Sequence, residues 1–308
     1  MPSELPKVLV ITGPTATGKT SLGIELAKRL NGEIISADSR QVYIHMDIGT
    51  AKPTREERRE VPHYLIDIAY PDQTYSAGAF AREAKIIVEQ LLNKKKMPII
   101  IGGTGLYLKA LMDGLFEAPA VDKGIRGRLR LEAEEYGLHG LYQKLEEIDP
   151  YTAEKVSPKD RIRIIRALEI YEQTGKPISF WHKEASSLRK SYQFINFGIT
   201  MNRKLLYQRI NARVDRMMEA GFVEEVKNLN NLGYSFELPA LRTFGYLDLL
   251  SYLQGRLKLE EAVERFRQKT RNFAKRQFTW FRHQLGLAWI DGDTDKPAEQ
   301  ILSAIWRS

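Results

Sequence analysis

The chain has 308 residues, of which 43% are hydrophobic, a formal net charge of +8 and no cysteine. This length is enough for one large core or two modest ones, and the lack of cysteine excludes disulfides, thiolate catalysis and cysteine-ligated zinc. No apolar run approaches a membrane span and the N-terminus lacks a signal-peptide core, so we expect a cytoplasmic protein. Most of the positive charge lies in residues 121–308. That distribution is compatible with binding of a polyanion such as nucleic acid, and equally with a basic surface that is simply exposed to solvent.

The most informative stretch comes early in the chain. An apolar run typical of a β-strand, Lys7–Thr12, precedes it, and helical spacing follows from Ser21. The stretch matches the phosphate-binding pattern G-x-x-x-x-G-K-[ST] at every specified position, with the residues Gly13, Pro14, Thr15, Ala16, Thr17, Gly18, Lys19 and Thr20. The backbone N–H groups of such a loop and the lysine ammonium bind phosphate oxygens, and the Thr20 hydroxyl is placed to ligate Mg²⁺. The sequence therefore predicts a site for a di- or triphosphate.

Two further polar groups are predicted at the same edge of a parallel sheet. Ile34–Ala37 is typical of a short buried strand, so Asp38 follows its carboxyl end, where ligands bind in open α/β sheets. An acid there can bind Mg²⁺ through water, act as a general base, or simply cap a turn. The strand Pro98–Ile101 leads into a second glycine-rich turn, 102–105, in which Thr104 offers a hydroxyl. This turn is a candidate second wall of the phosphate site.

Residues 62–68 are predicted to form another buried strand, with Asp67 near its end. A role for Asp67 like that of the Walker-B acid is less favoured than a structural one. His63, which follows a proline, is more typical of a hydrogen-bonded structural histidine than of a catalyst.

A change of character at Asp122 indicates a helical insertion in the α/β core. From there to about Arg189 the pattern is helical and highly charged, without clear strands. A basic amphipathic helix begins near Lys159, carries Arg163 and Arg166 as neighbours on one face, and ends at Gly175.

Strand character returns at Tyr192–Thr200, and a single long helix is predicted over Arg203–Leu232. Helices are then predicted around Thr243–Leu253 and over Leu259–Arg282, before a last strand at Leu287–Ile290. The helix over 259–282 interleaves basic and aromatic side chains. This pattern suits nucleic acid, although the aromatic residues alone are more typical of a core.

Six blocks in a fixed order resemble bacterial tRNA dimethylallyltransferases, also called tRNA isopentenyltransferases. The blocks are 13–20, 35–53, 62–68, 102–110, 166–177 and 270–282, so the resemblance runs along nearly the whole chain. One departure is Phe244-Gly245-Tyr246-Leu247-Asp248, where the family usually has Ile-Gly-Tyr-Lys-Glu, which leaves the role of this turn open. A milder departure is Thr17, where the family more often has Ser or Ala.

The resemblance implies an α/β fold: a P-loop NTPase-like parallel sheet with flanking helices and a helical insertion domain. The catalytic core would comprise 1–118 and 192–308, and the insertion, 119–191, would bind the anticodon stem-loop of tRNA. The implied reaction transfers a dimethylallyl group from dimethylallyl diphosphate to N6 of the adenosine 3′ to the anticodon and releases diphosphate. Mg²⁺ is the implied cofactor. We expect a monomer with no membrane partner.

Site roles follow from the same resemblance. Asp38 resembles the family's general base, and Thr104 resembles a residue that contacts the target adenosine. Lys19 and an arginine, Arg213 rather than Arg209, would stabilise the leaving diphosphate. The implied tRNA-binding residues are Asp38, Ser39, Arg40, Gln41, Thr104, Arg126, Arg163 and Arg166.

Two alternatives remain open from the residues themselves. A P-loop small-molecule kinase would use the same fold and loop with ATP as donor, but a convincing Walker-B acid is missing and the basic second half is unexplained. An RNA-binding ATPase or GTPase switch would need a base-recognition motif, and the sequence has no Asn-Lys-x-Asp guanine signature.

Overall fold

The computed structural model describes residues 5–114, 122–184 and 187–307. The chain divides into two compact units, one formed by Met1–Met112 with Leu188–Ser308 and the other by Asp113–Ser187. The second unit begins and ends a few residues before the limits predicted for the insertion. In the part of the chain that is described, no helix is long and apolar enough to cross a bilayer.

The first half of the larger unit alternates strands with helices. Its elements are β1 (Lys7–Thr12), α1 (Lys19–Arg29), β2 (Gly32–Ser36), α2 (Arg55–Glu60), β3 (His63–Tyr64), α3 (Ala77–Asn93), β4 (Met97–Gly102) and α4 (Gly105–Asp113). The bounds of β1, β2 and β4 agree with the predicted strands to within about two residues, and α1 begins two residues before Ser21, whereas β3 differs.

The second unit is helical. It contains α5 (Lys123–Glu135), α6 (Leu138–Ile148), α7 (Pro150–Lys155), α8 (Arg161–Thr174) and α9 (Ile178–Glu184). Its core is apolar and includes Leu129, Leu145 and Ile164. The basic helix α8 begins two residues after its predicted start because Asp160 caps it by accepting the Arg163 N–H, and it ends at Gly175 as predicted.

The chain then returns to the larger unit. The remaining elements are β5 (Gln193–Thr200), α10 (Arg203–Glu219), α11 (Phe222–Asn231), α12 (Tyr246–Leu253), α13 (Leu259–His283), β6 (Ala288–Asp291) and α14 (Pro297–Arg307).

The six strands form one sheet in the order β3-β2-β4-β1-β5-β6, and every pairing is parallel. The side chains of Val8 and Val10 on β1 face a layer formed by α3, α4 and the end of α13. Those of Leu9 and Ile11 face α1 and α14 on the other side. A parallel sheet covered by helices on both faces is the predicted α/β fold class.

A third apolar cluster joins helices α10 to α13. Phe222, Tyr246 and Phe266 pack together in it, and Val42 and Met46 from the long loop after β2 join them. Phe266 is therefore part of the core, as the aromatic pattern alone suggested. This cluster places helices α10 and α13 beside the carboxyl ends of the strands.

The strand predicted over 62–68 is wrong beyond its first residues. Only His63 and Tyr64 pair with β2. Leu65 and Asp67 then adopt positive φ angles of 62° and 57°. The Asp67 carboxylate binds Lys52, and lies 2.7 Å from Nη1 of Arg58. These partners favour a turn over an extended strand, and they support the structural role for Asp67.

The single helix predicted over Arg203–Leu232 is also wrong, because the chain breaks at Ala220–Gly221. Gly221 has a φ of 94°, which favours glycine, and it caps a new helix whose first residue, Phe222, is fully buried. Helix α14 was not predicted at all. Its Ile301 and Ile305 pack on the same face of the sheet as α1.

Candidate active site

The phosphate loop connects β1 to α1, as predicted. A Cβ atom on Gly13, where φ is +140°, would lie 2.4 Å from the carbonyl oxygen of Ile199, so a side chain does not fit there. The Thr17 hydroxyl donates to the carbonyl oxygen of Pro14 at 2.9 Å, and Nζ of Lys19 donates to the same atom at 2.5 Å. These bonds fold the loop back on itself and hold the Lys19 side chain across it.

Asp38 and Thr104 lie side by side because β2 and β4 are neighbours in the sheet. The Thr104 N–H donates to the carbonyl oxygen of Ala37 at 3.2 Å, and the Ser39 N–H donates to Oγ1 of Thr104 at 2.9 Å. A Cβ atom on Gly102 would lie 2.0 Å from the same Ala37 carbonyl oxygen, so a glycine is needed for this approach. Thr104 is therefore hydrogen-bonded to the backbone on both sides of Asp38, which brings the two predicted polar residues together.

The carboxylate of Asp38 is oriented by its own turn. Its Oδ1 atom accepts the N–H groups of Arg40 at 2.8 Å and Gln41 at 3.3 Å. Within the residues that the structure describes, Oδ2 has no hydrogen-bond partner. One oxygen is thus held by the backbone while the other can receive a ligand.

A cleft of about 660 Å³ brings these groups together at the carboxyl edge of the sheet. It is walled by the phosphate loop, the turn at Asp38, the loop 102–104, and one face each of α10 and α13. Lys19, Thr20, Asp38, Thr104 and Arg213 all line it. Arg209 lines it too: a Cβ atom on Gly18 would lie 3.7 Å from its Nη1.

The cleft holds two partly buried basic side chains, Lys19 and Arg213, near one carboxylate, Asp38. The pKa of Lys19 is lowered to about 7, first by burial and then by repulsion from the Arg213 guanidinium, while Asp38 opposes the shift. Burial also lowers the pKa of Arg213, which Asp38 raises and Arg216 lowers. Because each cation is desolvated and repelled by another, a bound anion would stabilise their charged forms.

Two of the residues predicted to contact tRNA in this region are braced by the protein. Nη1 of Arg40 donates to the carbonyl oxygens of Pro239 and Ala240 at 2.7 and 3.0 Å. The Gln41 side chain accepts the Ser36 hydroxyl at 3.0 Å and donates to the carbonyl oxygen of Ala51 at 3.2 Å. Their side chains hold the turn at Asp38 in place, whatever else they contact.

In the second unit, Arg126 and Arg166 meet on a single acid. Nε and Nη2 of Arg126 donate to Oε2 of Glu169 at 2.9 and 2.5 Å, and Nη1 of Arg166 lies 3.1 Å from Oε1. The Glu169 side chain is 0% exposed, so this pairing is part of the core. By contrast, the side chain of Arg163 is 68% exposed, with Nε 3.4 Å from Asp160.

Two sets of hydrogen bonds around the cleft were not predicted from the sequence. Gln277 on α13 joins the phosphate loop to the loop 102–104 through both ends of its amide. Glu225 on α11 accepts three consecutive N–H groups of the loop 47–49, which borders the cleft at Gly49. Gln277 lies in the last block of the resemblance, which also contains Asn272, so the sequence did not single out its amide. Glu225 gave no signal either.

The turn at Phe244–Gly245 has a structural partner of its own. The Asp248 carboxylate accepts the Gly245 N–H at 3.0 Å and Nζ of Lys269 at 2.6 Å. Lys269, from α13, thus neutralises the buried acid that follows this turn.

Fold and cleft together define a P-loop protein of the α/β class, with a cleft lined by Lys19 and Arg213 at the carboxyl edge of its sheet. A family described as IPP transferase matches residues 41–284. The chain is 47% identical to a tRNA dimethylallyltransferase from Carboxydothermus hydrogenoformans, covering 96% of each protein. It is 48% identical to one from Acetivibrio thermocellus, over 96% of this chain and 95% of that one.

Solved structures agree with these relatives. The tRNA isopentenylpyrophosphate transferase of Bacillus halodurans is 40% identical, with a TM-score of 0.72 over 98% of this chain and 96% of that one. A eukaryotic dimethylallyltransferase described as acting on tRNA is 31% identical, with a TM-score of 0.79 over 98% of this chain and 79% of that one. The chain therefore belongs to the IPP transferase family of tRNA dimethylallyltransferases. The predicted family and fold class are confirmed.

Proposed function

We propose that the protein transfers a dimethylallyl group from dimethylallyl diphosphate to N6 of the adenosine 3′ to a tRNA anticodon. The observation that carries the proposal is the single cleft in which Lys19 and Arg213 face Asp38 and Thr104. One end of this cleft suits a diphosphate, and the other offers an oriented carboxylate for a nucleophile. A kinase is not favoured, because the relatives named above are dimethylallyl and isopentenyl transferases and not phosphotransferases.

The phosphate loop would stabilise the leaving group. When the allylic C1–O bond breaks, its electron pair stays with the diphosphate as negative charge. The N–H groups of the loop, Lys19 and Arg213 would stabilise that charge as it develops. The Thr15 N–H is the exception, because Gln277 already accepts it at 2.9 Å.

Asp38 would act on the nucleophile. The adenine N6 is a weak nucleophile because its lone pair is delocalised into the ring. As the N6–C1 bond forms, a proton must leave N6, and Oδ2 of Asp38 is the oxygen that can accept it. Thr104, whose hydroxyl lies beside the turn at Asp38, would contact the same adenosine. The base must leave the anticodon-loop stack to reach this carboxylate.

Mg²⁺ fits this site through few protein ligands. Among the described residues, no cluster of three or more His, Cys, Asp or Glu could hold a metal. Mg²⁺ usually keeps several waters and binds substrate phosphates with one or two protein groups. The Thr20 hydroxyl, at the first turn of α1, would be such a group, with Asp38 through water. When bound, the ion would neutralise diphosphate charge.

The transfer itself can be tested directly. The protein would be incubated with radiolabelled dimethylallyl diphosphate, Mg²⁺ and an unmodified tRNA transcript, with ATP turnover measured in parallel. We expect label in the tRNA at the adenosine 3′ to the anticodon. Unlabelled tRNA together with ATP turnover would reject the proposal in favour of a kinase or ATPase.

Asp38→Asn tests the proton-transfer role while preserving the turn. The amide oxygen can still accept the N–H groups of Arg40 and Gln41, but the amide nitrogen cannot take up a proton. We expect kcat to fall by about 10²- to 10⁴-fold while the variant still binds inorganic pyrophosphate. Single-turnover transfer and calorimetric binding measure the two effects separately. A variant with nearly unchanged kcat would show that Asp38 is not the base.

A further inference from the structure

Gln277 links the two loops that hold the reacting groups. Its Oε1 atom accepts the N–H of Thr15 in the phosphate loop at 2.9 Å, and its Nε2 atom donates to the carbonyl oxygen of Gly103 at 2.9 Å. Gln277 is 7% exposed and comes from α13, far from both loops along the chain. The amide thus bridges two backbone segments that are separated in sequence by about 90 residues.

The bridge has little room to adjust. A Cβ atom on Gly103 would lie 2.5 Å from Nε2 of Gln277, so the loop backbone approaches the amide directly. The bridge also needs one donor and one acceptor on the same planar group. Glutamate offers only acceptors when ionised, and methionine offers neither at normal strength, although both have a similar length.

The loop 102–104 passes this restraint on to the base. Thr104 follows Gly103 and accepts the Ser39 N–H, next to Asp38. A continuous path of hydrogen bonds and short backbone therefore runs from Thr15 through Gln277 and Thr104 to the turn at Asp38. One end of this path holds the leaving group, and the other holds the proton acceptor.

We propose that Gln277 is a positioning residue that fixes the spacing between the phosphate loop and the turn at Asp38. The proposal rests on the proposed function, because the spacing matters only if the diphosphate and the nucleophile occupy the two ends. Displacement on C1 requires N6, C1 and the departing oxygen to be aligned, and small misplacements of such groups cost rate steeply. Gln277 itself touches neither reacting group.

Two variants of similar shape separate this role from simple packing. Gln277→Glu keeps an acceptor for the Thr15 N–H and loses the donor to Gly103, and Gln277→Met loses both. The matched control is Asn196→Ala, which removes an amide donating to the Leu285 carbonyl oxygen at 3.2 Å, beyond the end of α13 and away from the cleft.

The measurements are kcat, the KM for each substrate, and amide hydrogen exchange of the peptides covering 13–20 and 102–105. We expect both Gln277 variants to lose on the order of 10- to 100-fold in kcat. Each KM should stay within about threefold in Gln277→Met, whereas the added charge of Gln277→Glu should also raise the KM for the diphosphate. Both peptides should exchange faster in Gln277→Met, whereas the control should match the unmodified protein in both readouts.

The proposal fails if kcat stays within about threefold in both variants, or if the loss appears only in KM. It also fails if exchange in the two loops is unchanged. Should Gln277→Met not fold, Gln277→Glu decides on kcat against KM alone. An unmodified protein without transfer activity would reject the proposed function instead, and the exchange measurement would still report whether Gln277 joins the loops.

Discussion

Lys19 carries the sharpest electrostatic signature in the cleft. Its pKa of about 7 results first from burial, then from repulsion by Arg213, with Asp38 opposing both. In the unfolded chain the pKa would be near 10.5. The unfolded state therefore binds more protons between pH 7 and 10.5, so this group costs stability most below pH 7, and the cost is relieved as pH rises to 10.5.

Proton uptake on anion binding is the functional consequence. At pH 8 most Lys19 in the free protein is neutral, and a bound diphosphate would raise the pKa and recruit a proton. We expect pyrophosphate affinity to fall by up to about tenfold per pH unit above pH 7, with uptake of close to one proton at pH 8. Calorimetry in two buffers of different ionisation enthalpy measures this uptake.

Lys19→Arg is the matched control, because a guanidinium stays protonated throughout this range. Subtracting its uptake removes the protons that pyrophosphate itself exchanges. Equal uptake in the two proteins would mean that Lys19 is already charged in the free cleft.

At the scale of elements, a carboxylate from one helix organises a loop of another part of the chain. Glu225 on α11 accepts the N–H groups of Asp47, Ile48 and Gly49 at 2.9, 2.6 and 3.1 Å, and the Tyr246 hydroxyl at 2.7 Å. Such converging N–H groups bind an anion well. The protein fills this site with its own acid, and the loop is thereby held against the cleft.

Glu225→Gln should destabilise the fold measurably. The single carbonyl oxygen of a glutamine cannot accept hydrogen bonds from all four donors. The NH₂ group that replaces the other oxygen is itself a donor and would face an N–H. We expect a loss of about 2 kcal/mol in the free energy of unfolding, measured by urea denaturation.

The neighbouring Glu224→Gln is the control, since Glu224 is exposed and its ion pair with Lys227 is long, at 3.5 Å. We expect that change to stay below about 0.5 kcal/mol. A similar loss in both variants would show that Glu225 does not hold the loop.

The features that could be predicted from the sequence are those whose residues lie close together along the chain. The phosphate loop and its flanking strand and helix are encoded within about 20 adjacent residues, and they were predicted correctly. Asp38 and Thr104 could be placed at one edge because parallel strands share a polarity. Gln277 and Glu225 act across 174 or more residues, where no local pattern points to the partner.

The errors have the same origin. The helical spacing of apolar residues continues through Gly221, so this spacing predicts one helix. The chain forms two helices instead, because burial of Phe222 requires a break at Gly221. At 62–68 the apolar spacing is that of a strand, but Lys52 and Arg58 turn the chain at Asp67. In both places tertiary contacts override a correct local pattern.

At the scale of the whole molecule, not every basic side chain in residues 121–308 is available to bind a polyanion. In the second unit, Arg126 and Arg166 both pair with buried Glu169, an acid that would be left uncompensated without them. Their replacement would disturb the unit's core as well as any contact with RNA. Exposed Arg163 offers the cleaner test of the proposed tRNA surface.

Arg163→Gln should weaken tRNA binding through electrostatics alone. The side chain is 68% exposed, and its Asp160 contact is long, so its loss leaves no buried charge unpaired. If its guanidinium meets a tRNA phosphate, we expect a higher KM for tRNA, an unchanged kcat, and a plot of log affinity against log salt whose slope is smaller by about one. Binding titrations at several salt concentrations measure that slope.

The control variant, Arg29→Gln, removes the same charge from the end of α1, at the opposite edge of the sheet from the phosphate loop, where Arg29 pairs with Glu299 at 2.6 Å. Since the two variants have equal net charge, a general effect of protein charge would lower both slopes alike and would argue against Arg163. A change confined to Arg163→Gln would place a phosphate at that helix.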